Sequence, residues 1–317
     1  MKDFDQVWAE LKPWLDEREA FRKTAVNQFF VSIMAGVGLG GAVALVAFSM
    51  GLDGMWALLI VIGSAVLGGM FRFGPIGDLH SEVKTQLNTR VADLFELSYR
   101  EDVFAPPRFD AFRSHGLVPK GDRQSFEDQF SGAFNGAEFE LYEAHLEERR
   151  RSRRRTYYVT VFRGVLIRIV FPRTIEGVTL VTRDKGWFNT FERWGKTSFG
   201  QKLERIGLVD PDFERLFEVY GTDQVMARYL LTPSFMERLL ELEALLKGKN
   251  VRCVFDEALG QGAGRGELLI AAETGNQFEP GSMFSPIDQK EPVERLHSEI
   301  ELIQSIVKLL LEPASER

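Results

Sequence analysis

The chain has 317 residues, 44% of them hydrophobic and 27% charged, with a formal net charge of −7. That hydrophobic share supports a packed core and excludes wholesale disorder, while the acidic balance disfavours nucleic acid as the main partner. A single cysteine, Cys253, excludes an internal disulfide and a thiolate zinc site and fits a reducing compartment.

Residues 1–25 read as an amphipathic helix, with Phe4, Val7, Trp8, Leu11, Trp14 and Leu15 at helical spacing and Pro13 as a point of kinking. Trp8 and Trp14 suit either the headgroup level of a membrane or a packing face on the soluble domain. No residue between Lys23 and Asp53 is charged, nor any between Asp53 and Arg72. Each gap holds an apolar run long enough to cross a bilayer, which predicts a transmembrane helical hairpin over residues 26–73, with helices over 29–50 and 54–71. The acidic residues before the first run, Asp3 to Glu19, do not fit a secretory signal peptide. Arg18, Arg22 and Lys23 precede the hairpin and Arg72 follows it, whereas the turn carries only Asp53. This asymmetry predicts a multi-pass protein of the inner (plasma) membrane with both termini cytoplasmic. Gly36 and Gly40, and again Ser64 and Gly68, have the spacing that lets helix backbones approach, either within the hairpin or in a homodimer through the glycine face.

Gly74-Pro75-Ile76-Gly77 reads as a joint after the hairpin, and residues 79–317 as a cytoplasmic domain. A helix is expected over 79–99, with Val83, Leu87, Val91, Leu94 and Leu97 on one face. Strands are expected over 138–146, 157–162, 165–171 and 177–182, with a bend or bulge at Arg163-Gly164. Next come a short strand over 217–220, a helix over 224–231 opened by Gly221-Thr222-Asp223, and a second helix with Thr232 as cap and Pro233 at its first position. Strands over 251–255 and 267–272 are joined by the glycine-rich loop 260–266, and a helix over 292–311 closes the chain. The fold class is therefore α+β: a two-helix transmembrane hairpin, then an antiparallel sheet of six to eight strands with packed helices. By fold-level analogy its strand series closed by a helix suggests a pleckstrin-homology-like barrel.

Signatures of chemistry fail one by one. Gly195-Lys196-Thr197 resembles the end of a phosphate loop, but the glycine it requires falls on Thr190. In the loop 260–266 the third glycine of a dinucleotide fingerprint falls on Arg265. His80, His115, His145 and His297 show no ligand spacing, and Cys253 sits in an apolar strand. Asp223 reads as a residue of an early helical turn and Arg228 as a brace against the strand 217–220. No cofactor, metal or catalytic residue is expected. The remaining oddity is a run of six arginines, Arg149, Arg150, Arg151, Arg153, Arg154 and Arg155, read as an exposed loop. It is either a solvated tip balanced by Glu143, Glu147 and Glu148 or a contact for anionic lipid head groups or an acidic partner.

The block Asp212 to Leu240, centred on Val219-Tyr-Gly-Thr-Asp-Gln224, resembles the most recognisable part of a bacterial family, domain of unknown function 3137. Phe162-Arg-Gly-Val165 leading into Ile175-Glu-Gly-Val-Thr179, and Phe278-Glu-Pro280, are similar to two further blocks of that family. The resemblance implies membrane helices ahead of the domain and an envelope-related setting, and it carries no activity across. The expected function is a membrane-tethered cytoplasmic binding or scaffold module, with the bilayer or another membrane protein as partner. The alternative is a membrane-bound enzyme with an unfamiliar site.

Overall fold

The computed structural model describes residues 4–103, 105–152, 155–183, 203–208, 210–245, 249–257, 264–276, 278–279, 282 and 284–311. Gly195-Lys196-Thr197, Arg153 and Arg154 lie outside the described residues, as does much of the loop 260–266. The chain divides into two units: unit 1 takes Met1–Arg90 and Glu279–Glu294, unit 2 takes Val91–Phe278 and Arg295–Arg317.

Unit 1 is built on two helices, α1 (Phe4–Ser49) and α2 (Gly54–Leu94), the second passing into unit 2 at its last residues. At 46 and 41 residues they are about 69 and 62 Å long, roughly twice what a bilayer core requires. Two boundaries expected from the sequence are thereby corrected. From Phe4 on, the expected amphipathic segment and the first apolar run form one helix through Pro13, because nothing between Lys23 and Phe29 ends it. Gly74-Pro75-Ile76-Gly77 is not a joint: α2 runs through it. Proline here forfeits one backbone hydrogen bond, but the burial of Ile76 and Leu79 outweighs the local preference for a break. The domain expected over 79–317 accordingly begins inside a helix, and residues 279–294 belong to unit 1.

Unit 2 is a nine-stranded antiparallel sheet: β1 (Ser98–Asp102), β2 (Arg123–Phe134), β3 (Ala137–Arg151), β4 (Thr156–Phe171), β5 (Thr179–Arg183), β6 (Glu204–Ile206), β7 (Phe217–Gly221), β8 (Lys249–Glu257) and β9 (Gly266–Glu273). Their spatial order is β1-β2-β3-β4-β9-β8-β5-β7-β6. Among the described residues β1 and β6 do not pair, so the described strands form an open sheet rather than the pleckstrin-homology-like barrel suggested by analogy. One face carries Tyr142, Leu166, Leu269, Val254 and Leu180, and the segment Val103–Val118, with the short α3 (Phe109–Ser114), packs onto it. Among the described residues four further helices follow: α4 (Pro211–Leu216), α5 (Gln224–Leu230), α6 (Pro233–Leu245) and α7 (Glu291–Leu311). Two of them pack through phenylalanines, Phe213 of α4 stacked on Phe217 and Phe235 of α6 tilted against Phe255.

β4 runs unbroken through Arg163-Gly164, where the sequence suggested a bend. The glycine serves close approach instead, since a Cβ there would run into the carbonyl oxygen of Ala272 on β9. The register shift falls just before Arg163-Gly164 on β4 itself: Leu146 pairs with Phe162 and Glu147 with Thr160, which leaves Val161 as the extra residue, close to the bend or bulge that the sequence suggested.

Candidate functional site

In unit 1 the two long helices meet along their small residues. A Cβ added at Gly36 or Gly40 would strike Ser64, and one at Gly68 would strike the carbonyl oxygen of Ser32. These side chains therefore line a crossing within the chain. Beyond it Arg72 Nη1 donates to Gln28 Oε1 at 3.2 Å, and Arg18 pairs with Glu82 at 2.8 Å. Between the Gln28–Arg72 pair and the turn at Asp53, α1 and α2 present an apolar surface that little covers. Leu45 is 73% exposed, and Met50 and Phe71 are each 83% exposed. Monomeric soluble proteins rarely expose contiguous apolar patches of this size.

On the other side of the Gln28–Arg72 pair, α1 carries a buried charge pair. Arg22 Nε and Nη2 donate to Glu19 at 2.7 and 2.8 Å. Both also hold the returning chain: Arg22 Nη1 donates to the carbonyl oxygen of Phe284 at 2.9 Å, and the amide of Ile287 donates to Glu19 Oε2 at 3.1 Å. The Arg22 hydrogen bond lowers the Glu19 pKa, although burial works against it. Lys12–Asp288 and Lys290–Asp5 continue the zipper along α1, and Lys84 Nζ donates to Glu279 at 2.7 Å. Phe284 then lies against Phe29 and Phe30, with centroids 5.8 and 6.4 Å away. Sequence reasoning missed this docking, because its partners stand more than 260 positions apart.

In unit 2 the described arginines of the run lie at the end of the β3–β4 hairpin. Contrary to the expectation of a loop, Arg149, Arg150 and Arg151 continue β3, opposite Tyr158, Tyr157 and Thr156. The ladder persists because its partners are β-formers and because Asp122 Oδ2 accepts from the Arg149 amide at 2.7 Å. Past it, Ser152 N donates to the Arg155 carbonyl at 2.9 Å. Arg149, Arg150, Arg151 and Arg155 are all exposed. Arg150 pairs with Glu148, and Arg123 lies 3.5 Å over the Tyr158 ring. The result is an exposed tip combining cations and tyrosines.

The same unit buries a charge network that the sequence conceals. Glu267, with a fully buried side chain, accepts from Arg108 Nε and Nη2 at 3.0 and 2.8 Å and from Arg168 Nε at 2.7 Å. Arg168 Nη1 also donates to Glu140 at 2.6 Å. Burial lowers the Arg168 pKa, but the two carboxylates outweigh it and raise it above the usual value. Arg108 reaches Glu267 from a left-handed backbone (φ 54°), a conformation that is costly for arginine. Tyr142 donates to the Pro107 carbonyl at 2.9 Å, Arg252 to the Leu117 carbonyl at 2.8 Å, and His115 Nε2 lies 3.0 Å from Asp256. Together these fasten the segment 107–117 to the sheet. Both oxygens of Glu267 accept from guanidinium groups. The network is a clamp.

The other residues marked in the sequence lie apart. His80 faces Glu279, His145 bonds Thr160 at 2.9 Å, and the His297 ring packs on Phe95. Cys253 is buried, and burial pushes its thiol far up. Asp223 is the N-cap of α5, accepting from Val225 N and Met226 N at 2.7 and 3.1 Å. Arg228 reaches the Gly207 carbonyl at 3.5 Å, rather than the strand 217–220.

Residues 160–311 match the model of a family described as protein of unknown function (DUF3137). No curated protein matches. A crystal structure of the mycobacterial trehalose monomycolate transport factor A is similar over 74% of this chain and 98% of its own, at 12% identity and a TM-score of 0.32. A likeness at that level carries no argument about fold or function.

Proposed function

We propose that the chain, whose residues 160–311 match the model of that family of unknown function, is a membrane-tethered binding or scaffold module. In this reading α1 and α2 cross the inner membrane twice between the Gln28–Arg72 pair and the turn at Asp53. Both termini and unit 2 lie on the cytoplasmic side, and the arginine-bearing hairpin tip is the contact surface for anionic head groups or another membrane protein.

One observation carries the tether: two helices long and apolar enough to cross a membrane, with most of that surface uncovered. From Phe29 to Ser49 α1 rises about 31 Å and from Gly54 to Phe71 α2 rises about 27 Å, close to the thickness of a hydrocarbon core. The charges bounding this band support the orientation. Lys23 and Arg72 stand at the open end of the hairpin and Asp53 alone at its turn.

Fusion reporters test the proposal. A fluorescent protein should be bright at either end, alkaline phosphatase should be inactive at both, and alkaline carbonate should leave the chain in the membrane pellet. Active phosphatase after Arg317 would overturn the orientation, and release by carbonate would overturn the tether.

A further inference from the structure

Between α1 and α2, at the Arg72 end of the apolar band, lies a groove of about 380 Å³. Its walls are Phe29, Ile33, Met70 and Phe73, and its floor is Ala65 and Gly69. The floor exists because Gly69 has no side chain: a Cβ there would already lie 3.3 Å from Ile33 Cγ1 and 3.4 Å from Phe29 Cε2. Phe29 and Phe73 close the outer end as a tilted pair with centroids 6.3 Å apart. From Phe73 to Ala65 the groove follows eight residues of α2, about 12 Å.

Next to this apolar slot stands a cation. Arg72 is exposed, and its Nη1 donates to Gln28. Among the described residues no carboxylate lies within salt-bridge distance of it. Four of the five guanidinium N–H donors therefore remain for another acceptor, and guanidinium matches a phosphate with paired hydrogen bonds.

We propose that this groove is a binding site for one anionic phospholipid, with an acyl chain along Ile33, Ala65 and Gly69 and the phosphate on Arg72. The inference rests on the transmembrane reading above, which sets Arg72 at head-group depth and the groove among acyl chains. Charge complementarity selects the occupant, because a neutral zwitterion offers Arg72 a phosphate already balanced by its own cation. A second copy of the chain is a poorer occupant. The glycines that let helix backbones approach, Gly36, Gly40 and Gly68, are used by the crossing within the chain.

The test is native mass spectrometry of the full chain, delipidated in a neutral detergent and titrated with phosphatidylglycerol or with phosphatidylcholine of the same acyl chains. One phosphatidylglycerol should bind about tenfold better than phosphatidylcholine, Arg72→Gln should erase the preference, and Arg72→Lys should keep most of it. Gly69→Leu, which fills the floor, should weaken both lipids. Glycerol phosphate should not compete, because it lacks the chain. Equal binding of the two lipids, an unchanged preference in Arg72→Gln, competition by glycerol phosphate, or a dimer that excludes lipid would each overturn the proposal. Carbonate extraction separates this failure from failure of the tether. With the tether intact, wild type and Arg72→Gln both stay in the pellet whatever the lipid result. If the wild type is released, the transmembrane reading has failed as well.

Discussion

Glu267→Gln isolates what the buried clamp contributes. The substitution keeps the shape and removes one charge from a network that is otherwise neutral, two guanidiniums against Glu267 and Glu140. It also turns one accepting oxygen into a donor facing Arg108 and Arg168. The Arg168 side chain is 7% exposed and cannot regain water, whereas Arg108, at 25%, can swing partly outward. Breaking a buried pair costs roughly 3–5 kcal/mol, and the freedom of Arg108 places the expectation near the lower end, about 3 kcal/mol. That is a large share of a domain stability of about 5–15 kcal/mol. The assay is amide hydrogen exchange of β4, β8 and β9 peptides, with the full chain in nanodiscs. A loss of about 3 kcal/mol accelerates exchange of the globally protected amides by about a hundredfold. The pair Arg168→Met with Glu267→Leu should cost less than the sum of its single changes, because neither leaves the other buried alone. Acceleration below threefold for Glu267→Gln would show that water reaches the network and would refute the clamp.

Three further outcomes are expected. Glu299 is 1% exposed, and burial raises its carboxyl from 4.5 to about 7, with Arg295 opposing the shift. A folded-state pKa above the unfolded one gives stability that is present below about 4.5 and lost as pH rises through about 7, so Glu299→Gln should exceed wild type by up to about 3 kcal/mol at pH 8 and match it at pH 4 in denaturant titrations. Gly68→Leu should part the two long helices and abolish a short bismaleimide cross-link between Gln28→Cys and Arg72→Cys that forms with Gly68 in place; an undiminished cross-link would contradict the crossing. A dye on Ser152→Cys, where the buried Cys253 does not compete, should be quenched by nitroxide lipids in anionic nanodiscs at low salt, and less so at high salt or when Arg149, Arg150, Arg151 and Arg155 become Ser. Equal quenching in neutral nanodiscs would reduce the tip to a solvated loop.

What could be read from the sequence follows from how local each signal is. The apolar runs declare themselves by composition, and β4, β8 and β9 by their β-branched and aromatic residues, because those properties survive without knowledge of partners. β2 was not foreseen: Arg123 to Phe134 is polar over much of its length, and its pairing with β3 holds it in the sheet. At Gly74-Pro75 local breakers misled, because burial of Ile76 and Leu79 decided the outcome. The arginine run was visible as a cluster, but its extension of β3 depended on Asp122 and on tyrosines across the ladder. The clamp stayed hidden because Glu140, Arg168, Glu267 and Arg108 look like ordinary surface charges until the strands bring them together. Glu19 and Arg22 stayed hidden in the same way.

The docking of Ile287 on Glu19 fixes an order of events during synthesis. The two residues are separated by 268 positions. At about 5–20 residues per second, the ribosome needs roughly 13–54 s to reach the second after the first. Throughout that delay the newborn hairpin holds a carboxylate whose final amide partner does not yet exist. A ribosome that stalls within unit 2 would therefore leave α1 with an unfinished polar seam.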